Sequence, residues 1–167
     1  MRTVSPRPLA SERSPWLRGV LDVPGDLAIT HLALACGALA RGWSEIEGPL
    51  ASPWTVAFSE ALEAFGARVV MEDERWHVCG PGVGGLLEPT GDILFAGAPY
   101  GLDLIAGLAG TAAFTTRIEG INPDLSARRL GDLLAGLEAF GAGTVSAEGG
   151  RLPLTLRGPG IGLPAAV

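Results

Sequence analysis

Lysine is missing from this 167-residue chain: all 12 of its basic residues are arginine. No amine is therefore available for Schiff-base chemistry, and no mobile ammonium can follow a phosphate. Cysteine is scarce. Cys36 and Cys79 are too few for a disulfide framework and have no CxxC or Cys/His ligand spacing, so a reduced, cytoplasmic setting with no metal and no cofactor is the expectation. Long hydrophobic runs are also lacking. The apolar stretch 27–40 is too short to cross a bilayer, and Glu12, Asp22 and Asp26 precede it where a signal peptide would be basic. Charged residues make up only 18% of the chain, and the formal charge of -6 with a pI near 4.8 gives no attraction to nucleic acid or to an anionic membrane surface. Neither is expected as a partner.

What the chain has in quantity is apolar side chain, 47% of residues, and glycine, 25 residues. A chain of this length buries roughly 70% of the surface its unfolded form exposes, enough to offset the entropy of ordering. One globular domain over 1–167 is expected.

Self-similarity organises that domain. Glu63-Ala64-Phe65-Gly66-Ala67 recurs as Glu138-Ala139-Phe140-Gly141-Ala142, and Ile46-Glu47-Gly48 recurs as Ile118-Glu119-Gly120. Around the first mark, Ser52 is a plausible N-cap with Pro53 at the first helical position. Phe58, Ala61, Leu62 and Phe65 then follow at helical spacing, and Gly66 stands where a left-handed cap would end the helix. Leu130, Leu133, Leu134 and Leu137 make the same stripe in the second copy, with Gly141 as its stop. Strands are expected at 67–71, 76–79, 143–147 and 152–157, with turns at Asp73-Glu74 and Gly149-Gly150. Further strands are expected at 17–23 and 93–96, opening the two copies. Residues 28–40 and 102–113 are apolar nearly all round and predict helices buried on every side. The resulting fold class is α/β (α+β in some schemes): tandem βαβαββ repeats, two units of an incomplete lobe. Repeat one runs from about 17 to 80, a Gly/Pro-rich connector from 80 to 91, and repeat two from about 92 to 158.

These units, with the stretch Val23-Pro24-Gly25-Asp26-Leu27-Ala28-Ile29-Thr30-His31-Leu32, resemble the opening of EPSP synthases, where the signature reads Pro-Gly-Asp-Lys-Ser-Ile-Ser-His-Arg. The likeness continues through residues 37–42, 63–69, the connector Gly84-Gly85-Leu86-Leu87-Glu88-Pro89, and Gly150-Arg151-Leu152-Pro153-Leu154. It covers nearly everything from Gly19 to Gly158. The related UDP-GlcNAc enolpyruvyl transferases fit less well, lacking the Thr30-His31 type of pair. The resemblance implies a family fold of two lobes of three units each, with the active site between the lobes. It implies a reaction joining the enolpyruvyl group of phosphoenolpyruvate to the 5-hydroxyl of shikimate 3-phosphate. Two units find a counterpart in this sequence.

Two polyanionic substrates require fixed cations and hydrogen-bond donors, and at those positions the sequence departs from the family. The Lys-Ser pair falls on Leu27 and Ala28, and the Arg that closes the same motif falls on Leu32. The family's Gly-Asn-Ser-Gly-Thr-Thr-Met-Arg loop aligns with residues 96–103. Its Asn becomes Gly97, its second Gly becomes Pro99, and its Arg becomes Asp103, with the charge reversed. The Asp-Ser-Asp-Asp stretch becomes Ala51-Ser52-Pro53-Trp54. Only the Arg before the family's Pro-Met-Gly survives, as Arg128, which is the one candidate substrate-binding residue; no catalytic residue is assigned.

The remaining polar and aromatic residues read structurally. His31 is expected as a hydrogen-bonded core histidine. Arg128 and Arg129 are expected to begin a helix and be solvated, and His77 to lie on the surface. Trp43, Trp54 and Trp76 are read as packing residues. The glycine-rich stretch 80–85 lacks the Lys-Ser/Thr of a nucleotide loop.

Small-molecule anions are therefore doubtful ligands, and the chain by itself is expected not to catalyse the family's reaction. Three readings stay open: a transferase active only when a separate chain supplies the missing units, a pseudoenzyme lobe that binds a protein partner or a more apolar ligand, and a remnant without selected function. The helices over 28–40 and 102–113 are expected to leave an apolar face open, covered by self-association or a protein partner.

Overall fold

A computed structural model describes residues 10–13, 16 and 18–160. In chain order the elements are α1 (Leu27–Leu39), β1 (Arg41–Glu47), α2 (Pro53–Ala64), β2 (Arg68–Met71), β3 (Arg75–Pro81), β4 (Ile93–Phe95), α3 (Pro99–Ala109), β5 (Thr116–Gly120), α4 (Pro123–Ala127), α5 (Gly131–Ala139), β6 (Gly143–Ala147) and β7 (Arg151–Arg157). The strands form a three-stranded sheet in the order β1-β3-β2 and a four-stranded sheet in the order β4-β5-β7-β6. All pairs are antiparallel except β4 with β5. Helices α1, α2 and α3 pack on one another. Helix α1 lies on β1 and β3, α3 touches β7, and α2 reaches both β2 and β4, so one core spans the two sheets.

Local chemistry sets these boundaries. Asp26 caps α1 by accepting from the Ile29 N–H at 2.9 Å. Ser52 and Thr55 cap α2 reciprocally, with Pro53 at its first position. Phe58, Ala61, Leu62 and Phe65, the stripe read from sequence, are all buried. The repeated Glu-Ala-Phe-Gly-Ala segments build the same stop twice. Gly66 and Gly141 each take φ near +90°. The Gly66 N–H donates to the Glu63 carbonyl and the Ala67 N–H to the Leu62 carbonyl. Gly141 and Ala142 do the same to Glu138 and Leu137. Both are Schellman motifs. In each, the glutamate carboxylate reaches past the stop: Glu63 accepts from the Val69 N–H and Glu138 from the Thr144 hydroxyl.

Several expectations are corrected. No strand forms over 18–23, the described part of the opening strand expected at 17–23 (Leu17 lies outside the described residues); Val20, Leu21 and Val23 are 97%, 83% and 76% exposed. Helix α1 is not buried on every side, because among the described residues Ile29, Leu32 and Cys36 on one face are exposed. Helix α3 begins at Pro99 rather than at 102 and ends at Ala109. Arg128 closes the short helix α4 instead of opening a helix, and α5 starts at Gly131. Trp76 is buried, but Trp43 and Trp54 are more than half exposed, with the Arg68 guanidinium 5.8 Å from the Trp43 ring. His77 is half-buried on β3, with Nδ1 3.9 Å from the Glu45 carboxylate.

Candidate functional site

Of the positions at which the family's anion contacts would fall, Leu27, Ala28 and Leu32 lie on α1, Gly97 just before α3 and Asp103 on α3. A Cβ at Gly101 would lie 3.2 Å from His31 Cε1 and from Phe58 Cδ2, so glycine there allows α3 to approach α1 and α2 closely. His31 is fully buried, with its ring 4.5 Å from that of Phe58 and 6.3 Å from that of Tyr100. Its Nε2 lies 3.3 Å from the Trp54 carbonyl, while Nδ1 is buried and has no hydrogen-bond partner among the described residues. Burial pushes the imidazole pKa below its ordinary value, and the bond to the Trp54 carbonyl opposes that shift without cancelling it. His31 is a hydrogen-bonded core residue, as expected.

Leu27 and Ala28 form the first turn of α1. A helix N-terminus attracts anions, but here the Asp26 carboxylate takes the Ile29 N–H, placing the chain's own negative charge there. The Thr30 hydroxyl donates to the Asp26 carbonyl at 2.7 Å and accepts from the Leu50 N–H at 2.9 Å, so it too is committed to the fold.

Gly97 sits in the loop entering α3, where any Cβ would fall 2.3 Å from Phe95 Cζ. The Asn122 amide donates to the carbonyls of Ala96 and Gly97, each at 3.1 Å, and its oxygen caps α4 by accepting from the Leu125 N–H at 2.8 Å. One side chain thus ties the loop to the helix that carries Arg128 at its end. Asn122 was not singled out from the sequence, although Asn122-Pro123 is a cap followed by a first-turn proline.

Arg128 and Asp103 meet across this framework. Nη1 donates to Oδ1 at 2.8 Å and Nη2 to Oδ2 at 2.9 Å, and Nη1 also donates to the Pro99 carbonyl at 2.9 Å. Such a fork is the geometry with which arginine grips an external carboxylate or phosphate. Here the chain supplies the carboxylate. Arg128 is only partly exposed, and Arg129 beside it is exposed. The opposite signs at 103 and 128 are plain in the sequence, but nothing there puts the two side chains in contact.

Leu32 and Asp103 line an apolar groove of about 750 Å³ between α1 and α3, together with Cys36, Leu39, Leu104 and Phe114. Among the described residues no cluster of His, Cys, Asp and Glu could hold a metal ion, and no helix is long and apolar enough to cross a membrane.

Residues 12–165 match the model of the EPSP synthase (3-phosphoshikimate 1-carboxyvinyltransferase) family. The chain is similar to the 3-phosphoshikimate 1-carboxyvinyltransferase of Chelativorans sp., with 43% identity over 154 residues, 92% of this chain and 34% of that protein. Against the enzyme of the same name from Rhodospirillum rubrum it is 39% identical over 168 residues, 98% of this chain and 37% of that protein. The chain thus spans about a third of the length of the curated relatives it matches. In solved structures the same fold is found in an EPSP synthase from Acinetobacter baumannii, with a TM-score of 0.78 and 24% identity over 84% of this chain and 32% of that one.

Proposed function

Because the chain belongs to the EPSP synthase (3-phosphoshikimate 1-carboxyvinyltransferase) family, we propose that it is an EPSP synthase-like domain that keeps the family's fold and does not itself transfer enolpyruvyl groups. The supporting observation is the Arg128–Asp103 fork: the cation that survives at the family's anion-binding positions is neutralised by the residue that replaces another. Leu27 and Leu32 stand where two more cations would be. A hydrogen bond to a charged group contributes about 1.5–3 kcal/mol. Losing three cations costs roughly a thousandfold or more in affinity, even with poor additivity. Isothermal titration of the chain with shikimate 3-phosphate and with phosphoenolpyruvate is expected to give no heat of binding. Micromolar affinity for either, or phosphate release from the mixture, would overturn this reading.

The apolar groove beside Leu32 favours one further reading, a pseudoenzyme lobe in the cytoplasm that holds a protein partner or an apolar ligand. The competing reading, a transferase completed by a second chain, predicts a neighbouring coding sequence with the acidic residues of a second lobe. It also predicts turnover when the two chains are mixed, which the pseudoenzyme reading excludes.

A further inference from the structure

We draw no further inference here: the strongest candidate, the apolar groove between α1 and α3 lined by Leu32, Cys36, Leu39, Leu104 and Phe114, carries none because nothing in the structure shows what covers it.

Discussion

The guanidinium of Arg128 is closed on both sides of its fork by the carboxylate of Asp103, 25 residues away in sequence, at 2.8 and 2.9 Å. Because a third bond goes to the Pro99 carbonyl, the direction of the arginine is fixed by groups of its own chain, with no ligand required.

Asp103→Asn should therefore unmask Arg128. The pair is about one-third exposed, so solvent screens it, and a double-mutant cycle with Arg128→Ala is expected to give a coupling of about 1 kcal/mol. The Asp103→Asn variant should also show a shift of the Arg128 Nε–H NMR resonance on titration with inorganic phosphate, which the wild type does not show. Equal phosphate responses in the two proteins would contradict the masking.

Acid should weaken the fold through His31. Its pKa in the folded chain lies below the ordinary 6.5, so below pH 6.5 the unfolded chain binds the extra proton first. Stability is then complete above that pH and is lost as the pH falls toward the folded value. Protonation would also place a charged donor at Nδ1, which has no hydrogen-bond partner among the described residues. The urea midpoint is expected to fall between neutral and mildly acidic pH, and His31→Leu should flatten that dependence. A wild-type slope unchanged in the variant would assign the effect to other groups.

The two glycine stops should differ in tolerance. An alanine at φ near +90° costs about 1–2 kcal/mol wherever it occurs. At Gly66 the new methyl would also press within 2.8 Å of the Leu87 side chain, whereas at Gly141 the nearest atom is 3.7 Å away on Pro159. Gly66→Ala should accordingly lower the denaturation midpoint more than Gly141→Ala, and the reverse order would show that Leu87 yields freely.

Asn122 offers a separable test of the loop tie. Asn122→Asp keeps the cap on α4 but loses both amide donors to residues 96 and 97, while Asn122→Ala loses the cap as well, a further cost of about 1 kcal/mol. Both variants should raise amide exchange over 96–103. Unchanged exchange there would mean that the loop is held by other contacts.

What the sequence disclosed and what it hid divide along the distance over which each feature is decided. Ser52-Pro53, the stripe through Phe58 and Phe65, and the glycine stops are decided within a turn or two, and all were legible. A strand was expected over 17–23, but strand pairing is decided by residues distant in sequence, and over 18–23 no strand forms. Trp43 and Trp54 are large and apolar and so suggest a core, yet β1 has an open face and Trp54 lies in the first turn of α2, on its solvent side. At the site, the substituted positions Leu27, Ala28, Leu32, Gly97 and Asp103 could be located by resemblance. That Asp103 answers Arg128, and that Asn122 staples the loop, required the tertiary arrangement, because α4 and α3 meet only in the folded chain.

The paired helix-to-strand corners carry a kinetic consequence. Each is closed by bonds spanning no more than six residues, from Glu63 to Val69 and from Glu138 to Thr144, so little chain entropy is lost in forming it early. Each half of the polypeptide thus has its own starting point for refolding, and damage at either corner should be felt as a slower approach to the native state more than as a faster escape from it.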